Sequence, residues 1–321
     1  MGHSNRRRLA GLESNVNLAL LVAVLLLTAA SLSARDMPRP ISIVLDTDIG
    51  GDIDDAFALA LVLASPELNL RAVTTVTGDT QARARLAAKM LWEEGRREVQ
   101  VAPGEPGGKL PDAQTRWADG FTSPSLLSEK AVDLLKAEID RGRGEIVLVA
   151  IGPLTNVAAL LKHYPGETKK IKRLVLMGGS IARGYYSGSG PTAEYNIAAD
   201  VAAAQTVFSS GIPILMAPLD VTARLQLDAP RRQLLFAHHT PLTDALSALY
   251  ALWNQATPTL HDPMAVALLI NPGLCKTKPL AIQIDAQGMT RPVEGKPANA
   301  TVALETDPAR FIDFYLSRVA P

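Results

Sequence analysis

Cysteine is almost missing from this chain. Cys275 stands alone, so no disulfide can form within it. It follows Asn271-Pro272-Gly273 in apolar surroundings, which reads as a buried thiol and not as a nucleophile. Net charge is missing too: 32 basic residues balance 32 acidic ones, which leaves no basic surface for a nucleic-acid partner. No Pro/Ser-rich or charged linker divides the sequence, so one large domain is expected, and an apolar content of 47% supplies a sizeable core. The unbroken apolar run Leu18 to Leu27 is too short for an ordinary membrane span. Arg6-Arg7-Arg8 precedes it and the small residues Ser31, Ser33 and Ala34 follow, which reads as a secretory signal over 1–34, leaving 35–321 as the domain. Export to the periplasm or the medium is the expectation. Membrane attachment would come only from an uncleaved signal anchor, since no cysteine near Ala34 offers a lipid site.

Acid is concentrated in one place. Asp46 to Asp55 reads DTDIGGDIDD, five aspartates and two glycines in ten residues, directly after the apolar run Ile41 to Leu45. A strand puts Asp46 and Asp48 on one face, and Gly50-Gly51 lets the chain turn. The apolar segment from Ala56 to Ala64 suits a helix, with Asp54 and Asp55 in its first turn, where the helix dipole favours negative charge. At ~5 Å and an effective dielectric of ~20, two such charges repel by roughly 3 kcal/mol, so converging carboxylates call for a cation among them. Oxygen-only ligands favour calcium or magnesium, and a high, flexible ligand count favours calcium. An EF-hand loop fits poorly, because its twelfth position would be Phe57 and a strand, not a helix, precedes it. A haloacid-dehalogenase-like phosphatase also opens on Asp-x-Asp after a strand, but its later motifs have no clear counterpart here.

Short β-branched runs alternate with helical patterns along the rest. Strands are expected at 41–45, 70–76, 99–101, 145–151, 173–177 and 214–217, and helices at 80–94, 130–141, 154–163, 201–209 and 244–256. That alternation predicts an α/β fold with a mostly parallel, Rossmann-like central sheet and helices on both faces. Ligands then bind beyond the carboxyl ends of the strands. There, Pro153 in Gly152-Pro153-Leu154-Thr155-Asn156 ends a strand and leaves the Ile151 carbonyl as a plausible cation ligand. His261-Asp262-Pro263 precedes the apolar helix 264–270, where Asp262 serves either as its cap or as a ligand. His163, His238-His239, Tyr250, Trp253 and Arg224 read as structural.

Together these segments resemble the inosine-uridine-preferring nucleoside hydrolases. The resemblance rests on Asp46-Thr47-Asp48 with Asp54-Asp55, Thr74 to Gly78, Gly152 to Asn156, Met177-Gly178-Gly179, Ala193-Glu194-Tyr195-Asn196, Pro218 to Thr222 and His261-Asp262-Pro263, in that order. It implies calcium-dependent hydrolysis of the N-glycosidic bond of purine or pyrimidine ribonucleosides, releasing ribose and base. It implies calcium held by Asp48, Asp55, Asp262 and the Ile151 carbonyl, with Asp48 also taking a proton from the attacking water. Asp54, Asp79, Met177, Glu194 and Asn196 would hold the ribose, and His261 would protonate the departing base. Relatives of this kind are dimers or tetramers, so a homo-oligomer is expected.

The chain departs from the pattern in places. Asp52-Ile53 is an insertion before Asp54-Asp55, Asp79 stands for a common asparagine, and Gly188 for a ribose-binding one. Asp119-Gly120 replaces a histidine-glycine pair. These changes keep a rival reading open, a non-catalytic periplasmic nucleoside- or ribose-binding protein. Retention of Asp48, which a mere binder has no use for, favours the enzyme.

Overall fold

The computed structural model describes residues 39–108 and 112–321. The proposed signal segment lies outside the described residues. From Ile41 to Pro321 the chain forms one compact unit.

All six expected strands are present: β1 (Ile41–Thr47), β2 (Leu68–Thr75), β3 (Gln100–Pro103), β4 (Ile146–Ala150), β5 (Ile171–Met177) and β6 (Ile214–Ala217). The C-terminal region adds β7 (Cys275–Leu280), the small hairpin of β8 (Ile282–Ile284) and β9 (Thr290–Pro292), and β10 (Ala300–Thr306). The main sheet runs β3-β2-β1-β4-β5-β6-β10-β7. Every pairing in it is parallel except β7 against β10. Strand order reverses between β1 and β4, and a crevice opens at such a reversal.

Side-chain alternation divides the core in two. Ile43 and Leu45 point into one apolar cluster and Val44 into the other, and Val147, Val149 against Leu148 and Ala150 repeat the division. Both faces are covered by helices: α1 (Asp54–Leu63), α2 (Thr80–Glu93), α3 (Ala131–Gly142), α4 (Thr155–His163), the short α5 (Tyr195–Ala198), α6 (Val201–Phe208), the short α7 (Leu219–Thr222), α8 (Ala229–Phe236), α9 (Pro241–Trp253), α10 (His261–Ile270) and α11 (Pro308–Val319). Helix α1 is apolar on all sides because it is buried on all sides, with Asp54 to Val62 inaccessible. At about 1.5–3 kcal/mol for each fully buried large apolar side chain, this packing holds its acidic first turn rigidly at the end of β1.

Candidate active site

The site begins where β1 ends. Thr47 Oγ1 donates to Asp55 Oδ1, joining the strand end to the first turn of α1. Asp46 points the other way, into the opposite face, where its Oδ1 accepts from Thr74 Oγ1 at 2.6 Å and Asn156 Nδ2 at 2.8 Å. Its Oδ2 is buried without a partner, and burial pushes its pKa up to about 7. Asp46 therefore ties β1, β2 and α4 together behind the site and does not line it.

Asp48 reaches forward. A Cβ on Gly152 would stand 2.9 Å from its Oδ1 and 2.8 Å from Val76 Cγ1, so only glycine lets the Asp48 carboxylate settle over the β4 turn. On the far side, carboxylate oxygens of Asp54, Asp55 and Asp262 all lie within 4.8 Å of one another, and all three residues are buried. Asp262 is not the cap of α10: the capping position is Leu260, and the Asp262 amide instead donates to Asp54 Oδ2 at 3.3 Å. These carboxylates and Asp48 line one pocket of about 450 Å³ together with Ile151, Met177, Glu194, Asn196 and His261. Burial pushes Asp48 up to about 6 and Asp54, Asp55 and Asp262 well above the ordinary carboxylate range, with mutual repulsion adding to it.

Glu194 caps α5 and Asn196 lies in its only turn. Glu194 Oε2 accepts from the Gly179 amide at 2.8 Å and its Oε1 from the Asn196 amide at 2.9 Å. Burial nevertheless raises its pKa to about 7. Asn196 Nδ2 donates to the Ile151 carbonyl at 3.0 Å and the Met177 carbonyl at 3.1 Å, so this amide fixes the ends of β4 and β5 relative to each other. His261 Nδ1 is held by Thr222 Oγ1, and burial drops its pKa to about 4. The ring is therefore neutral in the resting site.

Asp79, expected at the ribose, stands outside the pocket. It caps α2, accepting from the Ala82 amide at 2.9 Å, because an aspartate before a helix satisfies that end better than it serves a pocket one turn away. Asp52 lines the pocket at its solvent-exposed rim, where partial desolvation raises its pKa, and its segment is tied down by Gln114 Nε2 on the Gly51 and Asp52 carbonyls. Arg83, Tyr185, Tyr195 and Gln255 also line the pocket, and sequence reasoning missed them. For Arg83 a signal existed: it occupies the stripe that Ala87 and Met90 continue at i+4 and i+7, a place for an apolar residue. Tyr185 carried none, standing in a Gly/Ser/Tyr loop. Its ring meets His261 edge-on, with centroids 6.1 Å apart, and its hydroxyl accepts from the Tyr195 amide at 2.8 Å.

The model of the inosine-uridine preferring nucleoside hydrolases matches residues 43–313. The chain belongs to that family. It is 32% identical over 309 residues to a pyrimidine-specific ribonucleoside hydrolase RihA from Citrobacter koseri, covering 87% of this chain and 97% of the relative. A RihA from Shewanella sp. strain MR-4 is 35% identical over 317 residues, covering 88% and 97%. Among solved structures, the plant nucleoside hydrolase PpNRh1 superposes with a TM-score of 0.76 at 26% identity, covering 88% of this chain and 100% of that one. A purine-preferring ribonucleoside hydrolase from Gardnerella vaginalis gives 0.73 at 27% identity, covering 87% and 98%. The α/β architecture is that of the nucleoside hydrolases, and the chain is an N-ribosyl hydrolase whose substrate is a small-molecule ribonucleoside.

Proposed function

We propose that this enzyme is an exported, calcium-dependent ribonucleoside hydrolase that acts on pyrimidine ribonucleosides. The observation that carries the metal is the convergence of Asp54, Asp55 and Asp262 within 4.8 Å in the pocket that Asp48 and Ile151 also line, a carboxylate-rich set suited to a hard cation. Burial and mutual repulsion disfavour the ionised forms of these groups, and a divalent cation reverses that balance. Calcium, held by Asp48, Asp55, Asp262 and the Ile151 carbonyl, would supply a centre that gathers ribose hydroxyls and a water and makes that water somewhat more acidic.

The chain's own residues then divide the work. Asp48 accepts the proton of the attacking water. Asp54, Glu194 and Asn196 meet the ribose hydroxyls, and Met177 lies against the sugar. Breaking the C–N bond builds positive charge on the ribose ring, which the surrounding carboxylates favour. His261, oriented by Thr222, offers Nε2 to the departing base. The pyrimidine preference is supported by the printed specificity of the relatives at 32% and 35% identity. Export is supported by the Arg6 to Ala34 sequence alone, and a homo-oligomer by the family resemblance alone.

A reducing-sugar assay across uridine, cytidine, inosine and adenosine, with calcium and with chelator, tests the reading. Ribose release led by uridine and cytidine and abolished by chelation is expected. Equal release in chelator overturns the metal role, and faster release from the purine nucleosides overturns the base preference.

A further inference from the structure

Arg83 is an unusual neighbour for a metal site. It is 1% exposed, on α2, and lines the pocket that holds the carboxylates. Nη1 donates to the Ile49 carbonyl at 2.9 Å, while Nε is buried with no hydrogen-bond partner. Gly78 lets the guanidinium lie flat against the turn: a Cβ there would come within 3.2 Å of both Nε and Nη2. Among the described residues no carboxylate pairs with it. A buried guanidinium without a paired anion is costly, and the cost is tolerable only in the field of nearby negative charge. That field exists, since Arg83 lowers the pKa of both Asp48 and Asp55 against the effect of burial.

We propose that Arg83 is a fixed positive charge that weakens metal binding at the acidic centre while keeping its metal-free form folded. This rests on the metal reading above. The guanidinium and a divalent cation face the same carboxylates, so each reduces the attraction available to the other. The Ile49 hydrogen bond stops the arginine from withdrawing when the metal enters, and its charge cannot be relieved by losing a proton. The affinity of the site is thus set below what its carboxylates alone would give, and the empty site keeps one cation of its own. Arg83 is a positioning residue in this account: it acts through the carboxylates and not on the substrate.

Calorimetric titration with calcium chloride, at alkaline pH where the carboxylates have lost their protons, compares the intact enzyme with Arg83→Gln and Arg83→Lys. Glutamine keeps a donor for the Ile49 carbonyl and removes the charge. It should bind calcium at least about tenfold tighter, or about 1.4 kcal/mol, and melt lower than the parent in chelator. Lysine should bind calcium within about threefold of the parent, a shift well under the tenfold that corresponds to 1.4 kcal/mol. A folded Arg83→Gln enzyme that binds calcium no tighter than the parent overturns the proposal, since a merely structural role loosens the site. If Arg83→Gln folds only when calcium is present, the metal-free half is upheld. The lysine enzyme then decides the rest, because a tenfold departure from the parent affinity would overturn it. A parent that binds no calcium removes the metal reading and this one together, whereas parent binding with an unchanged glutamine variant removes this one alone.

Discussion

His261 Nδ1 lies 2.9 Å from Thr222 Oγ1, so a residue of α7 chooses which ring nitrogen of α10 faces the pocket. With Nδ1 engaged, Nε2 is the nitrogen left free for a leaving base. Removal of His261 should therefore hurt uridine, a poor leaving group, far more than p-nitrophenyl riboside, whose leaving group needs no proton. A difference of ~10²- to 10⁴-fold in kcat is expected. Thr222→Val should act in the same direction and by less. Steady-state kinetics on the two substrates decides it, and parallel losses on both would assign His261 to positioning Asp262 instead.

Removing the metal should change stability with an inverted pH response. Burial raises Asp46 and Glu194 to about 7 and Asp48 to about 6, above the ordinary carboxylate value near 4. Between those limits the folded chain holds more protons than the unfolded one, so the stability of the chelated enzyme rises as pH falls from about 8 towards 6. His261 acts with the opposite sign. Its pKa is depressed to about 4, so its contribution is present above the unfolded value of about 6.5 and is lost as pH falls towards 4. The chelated enzyme should thus show its highest Tm in mildly acidic buffer. Calcium at 100 times its Kd should add about 2.7 kcal/mol at neutral pH. Calorimetry at a series of pH values checks both, and a chelated Tm that only falls on acidification would refute the carboxylate assignment.

Asp48→Asn should lower kcat by ~10²-fold or more with calcium saturating, because an amide cannot take the proton of the attacking water. Asp52→Asn, at the exposed rim of the pocket and outside the proposed ligand set, should change kcat by less than about threefold. Equal losses in the two variants would show that the inserted Asp52 has taken over part of the site.

Gly152→Ala is expected to damage the site without touching a ligand. The added carbon would stand 2.9 Å from Asp48 Oδ1 and 2.8 Å from Val76 Cγ1, and neither the strand end nor the buried valine can give way freely. Weaker calcium binding together with a kcat loss is the expected result, with a stability cost of about 1–3 kcal/mol for overpacking. Calcium affinity equal to the parent's would mean that Asp48 is not held by this close approach.

Most of the parallel sheet was legible in the sequence because each strand is a short β-branched run between helical patterns, and buried parallel strands need that composition. The end of the sheet was not. Strand β7 reads Cys-Lys-Thr-Lys-Pro-Leu, mostly exposed, with no apolar run to betray it, and β10 finds its place only by pairing with β6 and β7. At the site, the aspartates of the β1 turn and Asp262 announced themselves by clustering and by preceding apolar helices. Asp79 misled because the same residue type suits a ribose and a helix cap, and the choice is made by a backbone turn at Thr77 and Gly78 that sequence does not display. Tyr185 was hidden because its position depends on Asp220, whose two oxygens accept the Ile181 and Ala182 amides at 2.8 Å and so set the base of its loop.

The exposed, lysine-bearing β7 has a consequence for how copies of this enzyme meet. It closes one edge of the sheet with Lys276, which is paired to Glu305 of β10 at 2.7 Å, the exposed Lys278, and Pro279, a residue with no N–H to offer. A further strand, from another copy or from an unfolded neighbour, finds little purchase there, so the sheet is guarded against growing into a fibril at that end. Any assembly of the enzyme that is made on this side has to be built from side chains of helices and loops and not from shared backbone hydrogen bonds.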